Sequence, residues 1–340
     1  MAKYKNAMIT LNRVVVVAAW VLSTVMTACA PVARSSSPER PPAAADREKP
    51  AARTESAPAM LFATAADGTR IAYDKTGAGP ALVLVHGGGQ TRQAWKQTGY
   101  VDRLSKRFTV IAVDMRGTGD SGKPLAEQAY NLDTMLADLM SVADAAAAPR
   151  FHVWGFGHGA TISRYLAARS DRVISAVLVG ATMGPTITGI LKDGISAMRA
   201  KWQPLVAAHE AGTLDVKTLS ASDRAAWDSG VPLSAIALGA MMDYPPLEPA
   251  DIKAPTLWLV GSDDSSAENA KSYEGKLAGT NVTLKLLSSV SYSDSFTKID
   301  QVLADVDPFL LKEPARSLSL AIWLPWRAAQ AETLDHEDPG

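Results

Sequence analysis

Two glycine-rich turns hold the side chains of this sequence that are best suited to chemistry. The segment "HGGG" at 86–89 begins with His86, and "GFGHG" at 155–159 places His158 beside Gly157. Because histidine titrates near neutral pH, His158 could act as a general base that activates a water molecule lodged beside it. The alternative is that His158 only lines a pocket and His86 only stabilises its turn. No metal-ligand spacing and no phosphate-binding loop accompanies these turns, so the sequence implies no cofactor.

Short apolar runs, divided by glycine turns and helical stretches, must position these residues. From residue 61 onward this pattern predicts an α/β fold with a mostly parallel sheet and crossover helices. The sheet opens with a hairpin that turns at Asp67 and Gly68. The later strands are predicted within the runs 81–89, 108–117, 151–157, 173–180, 256–264 and 282–289. Every run except the last is almost wholly apolar, as buried central strands require.

A long insertion separates two of these strands. It runs from Ala181 to Pro255, about 75 residues, which is too long for an ordinary connection. Its helical periodicity predicts a helical cap at about 183–250, over the carboxyl ends of the strands. Its large apolar side chains either pack the cap onto the core or form the wall of an apolar pocket. They are Met183, Met198, Trp202, Trp227, Met241 and Met242.

Four motifs, taken in this order, resemble those of the α/β-hydrolase fold superfamily and its esterases and lactonases. They are "HGGG" at 86–89, "DMRGTGDS" at 114–121, "GFGHG" at 155–159 and "GSDD" at 261–264, each at the end of a predicted strand. The resemblance covers roughly residues 61–312 and implies a hydrolase domain at 59–312. In such a domain helices flank a mostly parallel central sheet, and the cap is inserted before the penultimate strand.

The resemblance fails at the two reactive positions. In that family a sharp turn presents Ser, Asp or Cys in a small-x-nucleophile-x-small frame, commonly GxSxG. Here Gly155 and Gly159 supply the small residues, and Gly157 occupies the nucleophile position. The family's catalytic histidine corresponds to Tyr292. A phenol with a pKa of about 10 is a poor base near neutral pH.

The acid position and the oxyanion donors are retained in the resemblance. The acid falls on Asp264 or on its neighbour Asp263, and Tyr292 could donate a hydrogen bond to Asp264. Either aspartate could instead be a solvated turn residue. The oxyanion donors would be the backbone N–H groups of His158 and Gly88. Such donors need no side chain, so they would still hold a carbonyl oxygen or a carboxylate.

The former active-site pocket would be lined by His86, Gly87 and His158, whereas Asp114 and Arg116 are expected to be structural. Lacking a nucleophile and a base, the chain is predicted to be a pseudoenzyme that binds a small apolar ester, lactone or carboxylic acid there. The alternative is an active carboxylic ester hydrolase with a non-standard site, such as a His158-activated water. A decayed duplicate with no function beyond folding stays open as a third possibility.

The amino terminus resembles a bacterial lipoprotein signal. An uncharged apolar run from Val14 to Ala28 follows basic residues, and "VMTACA" resembles a lipobox whose Cys29 is acylated. Cys29 is the only cysteine, so it cannot form an internal disulfide. We therefore expect a signal peptide at 1–29 and a lipid anchor in the bacterial cell envelope, with the domain facing the periplasm or the exterior. An uncleaved membrane anchor and plain secretion are the alternatives.

The segments that flank the domain differ from it in composition. Residues 30–58 are rich in Pro, Ala, Ser and charge, which predicts a disordered tether. The tail at 313–340 contains "LSLAIWLPWRAAQ", which could lie at a membrane interface, dock on the domain or be disordered. The net charge is −1, from 34 basic and 35 acidic side chains mixed along the chain, so we expect no nucleic-acid partner. The expected partners are a small-molecule ligand and, through Cys29, the membrane.

Overall fold

The computed structural model describes residues 60–312. The predicted signal peptide at 1–29 with Cys29, the tether at 30–58 and the tail at 313–340 lie outside the described residues. None of the helices within 60–312 combines the length and the apolar character that crossing a membrane requires.

An eight-stranded sheet forms the centre of the domain, with the strand order β1-β2-β4-β3-β5-β6-β7-β8. The strands are β1 (Leu61–Thr64), β2 (Arg70–Thr76), β3 (Ala81–Val85), β4 (Thr109–Val113), β5 (Phe151–Phe156), β6 (Val173–Val179), β7 (Thr256–Gly261) and β8 (Val282–Leu287). β1 and β2 form an antiparallel hairpin, β2 pairs antiparallel with β4, and the remaining pairs are parallel. The predicted fold class, a mostly parallel sheet flanked by helices, is confirmed.

Burial explains why the strands differ in composition. β5, β6 and β7 are buried along their whole length, since both faces of a central parallel strand are covered by helices. β8 lies at the edge of the sheet, and only its first and last residues are buried. Its polar residues Thr283 and Lys285 are therefore tolerated.

Helices pack on both faces of this sheet. They are α1 (Gln93–Gln97), α2 (Tyr100–Leu104), α3 (Leu132–Ala145), α4 (His158–Arg169), α5 (Gly189–Glu210), α6 (Ala221–Asp228), α7 (Val231–Met241), α8 (Ala267–Tyr273), α9 (Asp294–Thr297) and α10 (Ile299–Lys312). Short 3₁₀ helices lie at Glu127–Tyr130, Val216–Thr218, Pro249–Asp251 and Glu274–Lys276. One face of the sheet includes a cluster of edge-to-face and tilted aromatic rings from Trp95, Tyr100, Trp154 and Phe296.

The insertion between β6 and β7 contains the helices α5, α6 and α7. Its large apolar side chains pack inward: Met183, Trp202 and Met241 are buried, and Met198, Trp227 and Met242 are half-buried. This helical segment precedes the penultimate strand, where the sequence predicts the cap.

The two connections of the cap are bonded to each other and to helix α4. Gly184 and Leu247 form an isolated antiparallel bridge with backbone N–H···O distances of 2.8 and 3.2 Å. Tyr165 donates its hydroxyl to the Pro245 carbonyl oxygen at 2.5 Å, and the fully buried Arg164 donates to the Thr182 carbonyl oxygen. The cap is therefore fastened at both ends to the body of the domain.

Candidate active site

The turn between β5 and α4 places Gly157 at its apex. Gly157 has φ +51° and ψ −112°, a conformation that favours glycine because a Cβ would be strained there. Its N–H donates to the Val179 carbonyl oxygen at 2.8 Å, and its carbonyl oxygen accepts from the Thr161 N–H at 2.9 Å. The backbone on both sides of the apex is thus fixed by hydrogen bonds.

The two flanking glycines allow the strand and the helix to approach closely. A Cβ on Gly155 would overlap the Gly159 carbonyl oxygen, and a Cβ on Gly159 would overlap the Val85 carbonyl oxygen. The small residues of the frame are therefore required by packing, independently of any chemistry at its centre.

The hydroxyl of Tyr292 occupies the space that a side chain at position 157 would need. A Cβ built on Gly157 would overlap the Tyr292 hydroxyl oxygen and lie 3.2 Å from Cζ of the same ring. The ring packs against Phe156, with 4.9 Å between centroids, and against the bare backbone of Gly180. The structure thus brings Gly157 and Tyr292 together, and the Tyr292 hydroxyl in its present position requires a residue without a Cβ at position 157.

Tyr292 does not form the hydrogen bond to Asp264 that the sequence suggested. Burial, reinforced by the negative charge of Asp264, raises the pKa of the Tyr292 phenol, and no hydrogen bond to the described residues opposes this effect. The phenol is therefore a neutral hydrogen-bond donor at physiological pH, and the prediction of a Tyr292–Asp264 bond is wrong.

Of the two candidate acids, Asp264 lies closer to the site. It is buried after β7, and its Oδ1 accepts from the Ser266 N–H at 2.8 Å. Its Oδ2 is buried without a hydrogen-bond partner among residues 60–312. Asp263 is exposed and accepts from the Ser262 hydroxyl at 2.9 Å.

His158 is the first residue of α4 and lies beside the glycine loop. A Cβ built on Gly88 would lie 3.9 Å from the His158 Cβ and would meet nothing closer. Burial, with a smaller contribution from His86, lowers the pKa of His158 to about 4. The expectation of a near-neutral pKa is therefore wrong. The Nε2 atom of His158 is buried and has no hydrogen-bond partner within the part of the chain that the structure describes.

Both ring nitrogens of His86 are bonded, one to its own loop and the other to the turn after β4. Nδ1 lies 2.8 Å from the Gly87 carbonyl oxygen, to which it donates, and Nε2 accepts from the Met115 N–H at 3.2 Å. Nε2 also lies 3.0 Å from Thr118 Oγ1. Burial lowers the pKa of this imidazole, so it is neutral and already fully bonded. His86 thus joins the glycine loop to the turn after β4.

Part of the chain is similar in sequence to known hydrolases. A family model described as "alpha/beta hydrolase fold" matches residues 80–230. A soluble epoxide hydrolase from Corynebacterium sp. is 30% identical over 130 residues, which are 38% of this chain and 43% of that protein. A pimeloyl-[acyl-carrier protein] methyl ester esterase from Vibrio campbellii is 32% identical over 117 residues, 34% of this chain and 41% of the esterase. The matches thus span less than half the length of these relatives.

Solved structures extend the similarity beyond the matched segment. A bacterial membrane phospholipase A superposes with a TM-score of 0.56 and 25% identity, covering 74% of this chain and 86% of that one. The domain has the fold of the α/β-hydrolase superfamily. The sequence-based recognition of that superfamily is confirmed.

The residues at the two positions that the resemblance assigns to the nucleophile and the base carry no reactive group. Glycine at 157 offers no oxygen, sulfur or carboxylate for attack on a carbonyl, and Tyr292 offers no basic nitrogen. The resemblance assigns two backbone donors to this site, the N–H groups of Gly88 and His158. Among the described residues these two groups donate to no backbone carbonyl.

An ion network around the buried Arg92, which the sequence does not reveal, lies behind the glycine loop. Arg92 pairs with Asp114, with Asp74 at 3.0 Å and with Asp120 at 2.8 Å, and its backbone N–H donates to Asp114 at 2.6 Å. The sequence signal was an arginine just behind the glycine run, but its three partners are distant along the chain. Arg116 forms a second buried pair, with both Asp138 oxygens at 2.6 Å. Asp114 and Arg116 are thus bonded within the scaffold.

A cavity of about 350 Å³ lies away from the elbow, between the cap and the start of α3. Its polar lining includes Glu127, Asn131, Arg199, Gln203, Asp243 and Tyr244. Residues 60–312 contain no group of three or more His, Cys, Asp or Glu placed to hold a metal ion.

Proposed function

We propose that this protein is a catalytically inactive member of the α/β-hydrolase superfamily that binds a small apolar ester, lactone or carboxylic acid at its former active site. The observation that carries the proposal is the position of the Tyr292 hydroxyl. It fills the space at Gly157 that an attacking side chain would need. One substitution removed the nucleophile, and the second removed the base and filled the gap.

The expected loss of activity is large. In a well-studied serine protease, removal of the catalytic triad lowers kcat by about a millionfold, and a rate of about a thousand- to ten-thousandfold over water remains. The residual rate comes from oxyanion donors and from binding, which are the features retained here. Retained donors without a nucleophile favour binding over turnover.

The ligand class follows from the groups that line the site. The amide groups of Gly88 and His158 suit a carbonyl or carboxylate oxygen, and the apolar Phe156 ring packs beside Tyr292 next to them. A molecule with one such oxygen on an apolar body fits both features. An ester, a lactone or a carboxylic acid meets this description.

A second candidate function is hydrolysis by a water molecule that His158 activates. The unbonded Nε2 of His158 favours it, because a neutral imidazole nitrogen can accept a proton. A pKa lowered to about 4, however, makes His158 a weak base near neutral pH. We therefore favour the binding function, in which His158 lines the site.

We also propose that the domain is held at the bacterial cell envelope by a lipid on Cys29. The support is the order of basic residues, apolar run and lipobox-like segment along residues 1–29. Expression of the full chain with radiolabelled palmitate tests the anchor. Loss of the label in Cys29→Ser supports it, and an unlabelled wild-type protein contradicts it.

The function is tested on the full-length protein by two measurements. Incubation with p-nitrophenyl esters should give no hydrolysis above the buffer rate, and a thermal-shift screen of short acids, esters and lactones should raise the melting temperature with some of them. Turnover that His158→Ala abolishes would establish the hydrolytic alternative. A screen in which no compound shifts the melting temperature would contradict the binding function.

The placement of the site is tested separately by restoring the lost groups. We expect Gly157→Ser combined with Tyr292→His to react with a fluorophosphonate probe at the hydroxyl introduced at position 157, because the frame and the oxyanion donors are intact. Gly157→Ser alone should not react, since the Tyr292 hydroxyl then occupies the place of the new side chain. A folded double variant that neither reacts with the probe nor hydrolyses esters would show that the site is elsewhere.

A further inference from the structure

The side chain of Tyr292 ends at the apex of the turn between β5 and α4. It projects into the gap at Gly157, next to the first residue of α4, and a Cβ built in this gap would also lie 3.8 Å from the Gly87 Cα. A histidine at this position would accept the proton of a nucleophile's hydroxyl at position 157. Tyr292 brings its own hydroxyl into the gap.

The proton of this hydroxyl is not used in a hydrogen bond within the described part of the chain. The Tyr292 ring is held in place by Phe156 and Gly180. Because burial raises the pKa of the phenol, the hydroxyl keeps its proton and serves as a donor. A fixed donor without an acceptor is a ready partner for an incoming oxygen.

We infer that the site selects the carboxylate form of its ligand, and that the Tyr292 hydroxyl is the donor that determines this preference. The inference rests on the proposed binding function. The carboxylate would accept hydrogen bonds from the backbone N–H groups of Gly88 and His158 and from Tyr292 Oη. Hydrogen bonds to an ionised acceptor are roughly twice as strong as those to a neutral one, so three donors favour an acid over its ester.

Two further features bear on the charge of the ligand. The amino end of α4, a helix of 12 residues, faces the same gap, and its dipole favours an anion. The Asp264 carboxylate acts on Tyr292 and opposes a second negative charge. Since the two effects are opposed, we expect a preference of about tenfold for the acid over its methyl ester, which corresponds to about 1.4 kcal/mol.

The experiment compares matched acid and ester probes on the full-length protein. Binding of hexanoate and methyl hexanoate, and of phenylacetate and methyl phenylacetate, is measured by calorimetry at neutral pH. In the wild-type protein each acid should bind about tenfold more tightly than its ester. In Tyr292→Phe, which keeps the ring, the ratio should fall to about threefold or less. The control Tyr73→Phe, which removes a hydroxyl on the distant strand β2, should leave the ratio unchanged.

The outcomes separate this inference from the proposed function. If neither acids nor esters bind, the proposed function fails and the inference fails with it. If acids and esters bind equally, or if the preference persists in Tyr292→Phe, only the inference is overturned. The amide proton resonances of the wild-type protein provide a second measurement, which needs no variant. Hexanoate should shift the Gly88 and His158 amide protons downfield in the wild-type protein, and unchanged resonances at saturation would overturn the inference.

Discussion

Placing a methyl group on Gly157 tests the packing of the elbow directly. The substitution Gly157→Ala adds a Cβ at φ +51° and ψ −112°, a conformation that costs a residue with a side chain about 1–3 kcal/mol. The same Cβ would overlap the Tyr292 hydroxyl oxygen. Overpacking of this kind costs typically about 1–3 kcal/mol, so we expect a total loss of about 2–6 kcal/mol in the free energy of unfolding.

Two comparisons separate backbone strain from overlap in urea unfolding experiments. Gly212 also has a positive φ, +70°, but a Cβ there would meet nothing within 4 Å, so Gly212→Ala should cost only about 1–2 kcal/mol. In a Tyr292→Phe background the overlapping oxygen is gone and the ring Cζ, 3.2 Å away, is the nearest remaining atom. The cost of Gly157→Ala should then fall by about 1–2 kcal/mol, and a double-mutant cycle measures this coupling.

The reasoning would be refuted by either of two results. If Gly157→Ala costs no more than Gly212→Ala, then Tyr292 does not fill the gap. If the cost is large but identical in the Tyr292→Phe background, the strain is in the backbone alone. In both cases the residues at positions 157 and 292 would not be coupled through packing.

Two further predictions concern buried ionisable groups. Burial lowers the pKa values of His152 and His158 from 6.5 to about 4, so the unfolded chain binds protons that the native state excludes. The free energy of unfolding should therefore fall as the pH drops from about 6.5 to 4. In urea titrations, His152→Gln or His158→Gln should make this dependence on pH less steep. Arg116→Met should lower the free energy of unfolding by about 3–5 kcal/mol, because it leaves the buried Asp138 carboxylate without its partner. The double variant Arg116→Met with Asp138→Leu should recover most of this loss. A double variant as unstable as Arg116→Met would contradict this account.

The sequence predicts the sheet well because burial constrains composition. A strand such as β6, covered on both faces, must be apolar throughout, and the run "VISAVLV" shows this without any knowledge of its neighbours. The hairpin at Asp67 and Gly68 is equally local, since two residues determine the turn. Gly68 has φ +82° and joins β1 to β2 as predicted.

The details of the site could not be predicted, because they depend on contacts between distant parts of the chain. The resemblance assigns Gly157 and Tyr292 to the nucleophile and histidine positions, but it does not indicate that the Tyr292 hydroxyl lies where a Cβ at position 157 would be. The sequence also suggests a pKa near neutrality for His158. The burial that lowers this pKa depends on the packing of the glycine loop, which the sequence does not show. The sequence does not reveal the three acidic partners of Arg92 either, because they lie far from it along the chain.

The bridge between Gly184 and Leu247 closes the base of the cap. Residues paired in this way have Cα atoms about 5 Å apart, a distance that a tight turn spans. The segment between them therefore leaves the domain and returns to it at one place, so its length imposes no separation on β6 and β7.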